Sequence, residues 1–189
     1  KYLVVQDYIS GGAANNISFQ VALEDNILKG SLLTAKLRVT KNGFTSYIEE
    51  IDMSEDFSKK IFHPFVAAMV ELNYSGLAEA EFKICARTGK YYLIEVNPRP
   101  CGLVSAFGGK YLSINHFFEG KDLIVKGGGR KVKWSSILRD VQSIIVRYRK
   151  HRSFKKITKD LGSILTANTY DIFDPSDIKP FISQVVPKS

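Results

Sequence analysis

Three oxygen-bearing side chains, Glu81, Glu95 and Asn97, stand where a β-hairpin would gather them. The segment runs Gly76-Leu77-Ala78-Glu79-Ala80-Glu81-Phe82-Lys83-Ile84, turns at Thr88-Gly89, and returns as Tyr91-Tyr92-Leu93-Ile94-Glu95-Val96-Asn97-Pro98-Arg99. Residues two apart in a strand share a face, so Glu95 and Asn97 point the same way. Folding the chain about Thr88 sets Glu81 opposite Glu95. Like charges directly opposite each other destabilise a sheet. A hard divalent cation removes the conflict, because Mg²⁺ takes one or two carboxylates and completes its shell with water and phosphate. The pattern reads as a site for a magnesium nucleotide. The plainer alternative is a hairpin with two glutamates on a solvated face. Asn97-Pro98-Arg99-Pro100 favours the first. Proline cannot feed the ladder, so the strand stops there, leaving a neutral oxygen ligand and a guanidinium beside the carboxylates.

Other elements must position this hairpin. Residues 2–9 read as a strand running into Ser10-Gly11-Gly12. Strands through residue 50 are separated by Gly11-Gly12, Asp25-Asn26 and Lys41-Asn42-Gly43, the last carrying an Asn-Gly hairpin signal. Lys36 and Arg38 share a face if their segment is a strand; they would otherwise guard an exposed strand edge with positive charge. Ser54 caps a helix whose apolar positions Phe57, Ile61, Phe65, Ala68 and Leu72 follow helical spacing. Pro64 kinks it or begins a second helix, and Gly76 ends it. Residues 106–110 read as a loop and 111–118 as a short helix. Gly127-Gly128-Gly129 is a linker, lacking the context of a phosphate-cradling loop. From Trp134 a helix follows with Ile137, Leu138, Val141, Ile144 and Ile145 as its apolar stripe, then a second with Phe154, Ile157, Leu161 and Ile164. These two pair as a hairpin against the first part. Asp174-Pro175-Ser176-Asp177 starts a short final helix. The fold class expected is α+β: an antiparallel sheet flanked by helices, with a C-terminal helical hairpin.

The combination of Glu81, Glu95-Val96-Asn97 and Arg99 on strand–turn–strand resembles the ATP-grasp superfamily. The likeness covers roughly residues 1–110 and matches the C-terminal half of the unit, as in biotin carboxylase and the carbamoyl phosphate synthetase large chain. It implies that Glu81, Glu95 and Asn97 hold Mg²⁺ (or Mn²⁺) on the ATP phosphates. Arg99 would contact a carboxylate substrate or its acyl-phosphate, helped by Lys36 and Arg38. Gln6, Asp7 and Ile9 match the strand and hinge that grip adenine; spacing alone also allows a plain buried strand there. The activity implied is ATP-dependent ligation of a small-molecule carboxylate to an amine, thiol or other nucleophile. Lys-Leu-Arg at 36–38 and the tail with Asp174-Pro175 also resemble uncharacterised members related to the synthetase. Glu79 departs from peptide-ligase-like members, which often carry a basic residue there. The family's N-terminal domain and phosphate-clamping lid would precede Lys1, which begins mid-strand without a methionine. A longer protein is therefore expected, with residues 1–120 as the end of an ATP-grasp domain and 121–189 as a basic helical extension packed on it.

The 189 residues suffice for one good core, and 44% hydrophobic content fits a soluble globular protein. No apolar run approaches the roughly 18 residues of a membrane helix. No signal peptide is visible, a cytoplasmic location is expected, and a homodimer is compatible with the chain. Two cysteines, Cys85 and Cys101, read as a reduced pair, with a nucleophilic role for Cys101 as an alternative. The net charge of +8 is uneven: residues 126–159 hold twelve Lys or Arg against one acid, Asp140, giving +11 and leaving −3 elsewhere. That block is either the wet face of two helices or a binding module for nucleic acid or an acidic partner on a degenerate nucleotide fold. Intact metal ligands argue against degeneracy, so nucleic acid is the less favoured partner.

Overall fold

Alternation of side chains along β1 (Asn16–Glu24) divides the molecule into two cores. Ile17, Phe19, Val21 and Leu23 face one side, where Ala78, Ala80 and Phe82 join them. Ala22 faces the other, with Leu32, Ile48, Leu77 and Trp134. The structure, a computed structural model, describes residues 3, 5–111, 113–125, 129–151 and 153–185. Tyr2, Val4, Lys126, Gly127, Gly128 and Arg152, on which several sequence readings fall, lie outside the described residues. The remaining strands are β2 (Ile27–Val39), β3 (Thr45–Glu50), β4 (Gly76–Ile84), β5 (Tyr91–Asn97), β6 (Lys133–Ser135) and β7 (Thr169–Tyr170). They form one sheet in the order β5-β4-β1-β2-β3-β6-β7, antiparallel except for the β6–β7 pair. The expected α+β class holds, with the sheet running on into residues beyond 120. Asp25 and Asn26 take φ of 50° and 63°, the left-handed pair that a two-residue hairpin turn demands.

One face of the sheet is covered by a single helical run. Ser54 Oγ accepts the Phe57 N–H at 3.1 Å and opens α1 (Glu55–Phe57). A π-helical turn over Ser58–Phe62 leads into α2 (His63–Glu71). Pro64 lies in the first turn of α2, as expected of a proline that begins a second helical segment. The wider turn sits just before it, where proline has no N–H to return to the previous turn. The run ends at Glu71, with Asn73 left-handed at φ 51°, and not at Gly76, which is the first residue of β4. The rings of Phe57, Phe62 and Phe65 lie edge-on to Phe19 at centroid distances of 6.2, 5.0 and 5.7 Å.

The other face carries α3 (Val104–Lys110) and α4 (Asn115–Phe118). Residues 106–110, expected as a loop, are therefore helical. Gly109 is needed there for contact, since a Cβ would lie 2.7 Å from Thr169 Cγ2 on β7. Trp134, expected to open a helix, is the centre of β6, and its indole donates to Ser105 Oγ at 2.8 Å. Burial of the largest side chain outweighs the helical spacing that follows it. The next helix, α5 (Ile137–His151), starts three residues later and packs on β2, β3 and α6 (Phe154–Leu165). Its inward residues are Asp140, Ser143 and Ile144, whereas Leu138, Val141 and Ile145 from the expected stripe stay more than a third exposed. Asp174 makes a turn, its carboxylate accepting from Ser176 N–H at 2.8 Å, and α7 begins only at Lys179. The expected strand at 2–9 does not form over its described residues, which have no regular structure; Leu3, Val5 and Tyr8 are 88, 85 and 83% exposed. Among the described residues no strand pairs with them, so apolar character alone does not order them. No helix among the described residues is long and apolar enough to cross a membrane.

Asp140, the one acid of the basic block, is wholly buried and fastens α5 to the sheet. Arg38 grips it with two bonds, Nε to Oδ1 at 2.6 Å and Nη2 to Oδ2 at 2.5 Å. Ser46 and Ser135 donate to the same carboxylate at 3.0 and 3.2 Å. The guanidinium also lies 4.0 Å above the Tyr47 ring. Removing one partner of such a pair strands a buried charge. Asp140→Ala should lower stability in urea unfolding by about 3–5 kcal/mol, and the apolar double substitution Arg38→Met with Asp140→Leu should recover most of that loss.

Candidate functional site

The register of β4 against β5 places the acidic side chains. From the turn, Ile84 pairs with Tyr91, Lys83 with Tyr92 and Phe82 with Leu93. Continued without interruption, that register would set Glu81 against Ile94. A β-bulge intervenes, Ile94 is left over, and Glu81 pairs with Glu95. Phe82 belongs to the core under α1 and α2, so Leu93 shares that face while Glu95 is turned to the other. Asn97 then pairs with Glu79. The expected opposition of Glu81 and Glu95, and the common face of Glu95 and Asn97, are both present.

Two polar rows cross the sheet. One is Ser18, Glu81 and Glu95; the next is Gln20, Glu79 and Asn97. Glu79 is buried and accepts a short hydrogen bond from Ser18 Oγ. The Asn97 amide donates to Glu95 Oε1 at 2.9 Å. Lys36 is nearly buried, and its ammonium sits 2.5 Å from Glu81 Oε2. Gln20 is 4% exposed, and its Nε2 has no hydrogen-bond partner among the described residues. It opens onto a small cavity lined also by Arg99, Pro100, Cys101 and Phe107. Arg99 itself is exposed and, among the described residues, donates only to the Pro100 carbonyl, at 3.2 Å.

Lys36 and Arg38 do not share a face. Lys36 pairs with Ile48 and Arg38 with Tyr47, adjacent residues of β3 whose side chains leave the sheet on opposite sides. A bulge in β2 between Lys36 and Arg38 produces the switch. Lys36 therefore joins Glu79, Glu81, Leu103, Trp134 and Arg139 around a cleft of about 160 Å³. Arg38 is committed to Asp140. Gln6 and Asp7 are exposed and Ile9 half-buried, and none of the three lines that cleft. The carbonyl of Ser10 accepts from Ala86 N–H at 2.9 Å, which ties the segment to the far end of the hairpin.

Sequence reasoning missed Glu79, Gln20 and Arg139. Glu79 carried a readable signal, being two residues before Glu81 and so on its face. Gln20 and Arg139 reach the site through cross-strand pairing and helix packing, for which nothing local in the sequence speaks. In the basic block, Lys131 pairs with Asp52 at 2.6 Å, Lys133 with Glu49 at 3.5 Å and Arg147 with Asp160 at 3.5 Å, so part of its charge is balanced within the fold.

Among the described residues no three His, Cys, Asp or Glu side chains converge as a metal centre. The donor set at the hairpin is hard oxygen: the Glu81 and Glu95 carboxylates with the Asn97 amide. It suits a cation that draws its other ligands from water and phosphate.

No family model matches the chain, and no curated protein does. The chain is similar to ATP-grasp proteins. A protein from Archaeoglobus fulgidus assigned to that superfamily aligns over 64% of this chain and 38% of its own, at 20% identity and TM-score 0.45. N5-carboxyaminoimidazole ribonucleotide synthetase from Thermus thermophilus aligns over 66% of this chain and 36% of its own, at 15% identity and TM-score 0.48. Biotin carboxylase from Campylobacter jejuni, solved as a β-γ-ATP complex, aligns over 51% of this chain and 21% of its own, at 17% identity and TM-score 0.41. The chain thus spans well under half the length of each of these structures.

Both cysteines are free. Burial, and then the Glu79 charge beside it, push the Cys101 thiol up to about 12. Cys101 is thus a neutral thiol at neutral pH, a poor nucleophile. Iodoacetamide should leave Cys101 unmodified below about pH 9, read by peptide mass spectrometry, because the reactive thiolate appears only as pH approaches the raised value.

Proposed function

We propose that this chain is part of an ATP-dependent carboxylate ligase, with its β4–β5 hairpin as the seat of the magnesium nucleotide. The observation that carries this reading is the bulge-set pairing of Glu81 with Glu95. Opposed carboxylates weaken a sheet; Lys36 offsets the Glu81 charge and leaves that of Glu95, and a divalent cation between the carboxylates would turn the pairing into an asset. Mg²⁺ (or Mn²⁺) would be held by Glu81, Glu95 and Asn97, and would supply positive charge against the phosphates of ATP.

The chain's own residues do the remaining work. The Lys36 ammonium neutralises Glu81 in the unliganded state and lies within reach of an incoming phosphate. Arg99 stands just past the end of β5, where its guanidinium can pair with the acyl-phosphate in two-point fashion. The unpartnered Gln20 amide supplies a buried donor in the cavity beside Arg99. In the reaction, a carboxylate oxygen of the substrate attacks the γ-phosphorus of ATP and the bond to ADP breaks. An amine or thiol then attacks the acyl carbon, and phosphate departs with the former carboxylate oxygen. Positioning and fixed charge supply the catalysis.

Glu95→Gln separates the roles. It removes one of two opposed charges, so thermal stability of the unliganded chain should hold or rise, by up to about 1 kcal/mol. Affinity for magnesium nucleotide, read by calorimetry with Mg-ADP, should fall at least about tenfold, or 1.4 kcal/mol. Equal affinity in the variant would overturn the assignment.

A further inference from the structure

Between the β2–β3 turn and α5 lies a second cleft, of about 330 Å³, lined by Thr40, Lys41, Asn42, Phe44, Arg139 and Gln142 among others. It abuts the Lys36–Glu81 cleft, and Phe44 and Arg139 line both. Arg139 stands at the junction. Lys36, Arg38, Lys131, Lys133 and Arg147 all have acidic partners. For the Arg139 guanidinium, the described residues supply neither an ion pair nor a side-chain hydrogen bond. Its Cζ stands 5.8 Å from the centroid of the Phe44 ring. Phe44 is 61% exposed at a hairpin turn, so its ring is open to a ligand.

We infer that Arg139, with Lys41 and Phe44, forms a subsite for a carboxylate group borne on an aromatic or flat apolar body. This rests on the ligase reading above and names the class of its acid substrate. An unpaired guanidinium suits a planar carboxylate, which it meets with two parallel bonds. Phe44 on one side, with Val146, Leu103 and Trp134 along the two clefts, offers apolar surface to the body of the molecule. Glu79 and Glu81 line the same cleft as Phe44 and Arg139. An acid held at Arg139 therefore shares a cleft with the proposed metal ligand Glu81, where its carboxylate meets the metal-shielded phosphates.

The test uses the ¹⁵N-labelled 189-residue chain, with benzoate, acetate and inorganic phosphate as separate probes in NMR titrations. Benzoate should shift the Arg139 side-chain Nε–Hε signal and the amides of residues 40–44 and 142–146. Arg139→Gln should weaken that binding at least about tenfold, and its far-UV circular dichroism should be unchanged because the side chain is exposed. Phe44→Leu should weaken benzoate several-fold and leave acetate unaffected. Phosphate as strong as benzoate at Arg139 would make this a nucleotide-phosphate contact and overturn the inference. So would benzoate shifts that persist in Arg139→Gln. Glu95→Gln should leave the benzoate titration intact, so failure of the nucleotide site and failure of the acid subsite are read separately.

Discussion

One extra residue, Ile94, decides which way the acidic end of the molecule faces. A strand has a side-chain period of two, so a slip of a single position sends every following side chain to the other side. The bulge at Ile94 makes that slip inside β5. Before it, Tyr91 and Leu93 follow the register of the core under α1 and α2; after it, Glu95 and Asn97 stand beside Glu81 and Glu79. A second bulge, in β2, does the same for cations, leaving Lys36 beside the carboxylates and sending Arg38 to Asp140. Two local irregularities thus sort one lysine and three glutamates onto one face, and one arginine onto the other.

The rest of the fold holds that face still. The helical run over Phe19 locks β1, β2 and β4 from behind, and the site strands have little freedom to tilt. On the site's own side, α3 and Trp134 close the apolar half of the cleft. The buried Arg38–Asp140 pair carries α5 into position, and α5 in turn brings Arg139 to the cleft's rim. A charge cluster that takes no part in the proposed chemistry therefore shapes the opening through which an acid would enter. β5, by contrast, is the sheet's edge, with Leu93, Ile94 and Val96 substantially exposed. Among the described residues, the strand bearing two of the proposed ligands has a neighbour on one side only.

Much of this was legible in the residues. Period-two alternation, the Asp25-Asn26 and Asn42-Gly43 turns, the Ser54 cap and the hairpin about Thr88 all act locally, and each appears where the sequence implies it. What was hidden depends on distant partners. Residues 2–9 have strand composition, but 5–9 pair with no strand among the described residues. Trp134 begins a helical pattern yet is drawn into the sheet by burial. Gly108 and Gly109 look like a loop and are instead helical, with Gly109 allowing α3 to approach Thr169. Opposing Glu81 to Glu95 by symmetry about Thr88 reached the correct pair for an incomplete reason, since the ladder next to the turn runs one residue out of that symmetry and only the bulge restores it. Arg38, equal to Lys36 by spacing, is separated from it by the same kind of irregularity.

The central claim is that a divalent cation joins the hairpin to a nucleotide. Paramagnetic broadening by Mn²⁺ in the presence of ADP tests it most directly. The account predicts that amide signals of residues 79–82 and 95–97 broaden first, and only when both ion and nucleotide are present. Broadening that needs no nucleotide, or that centres away from the hairpin, would contradict it.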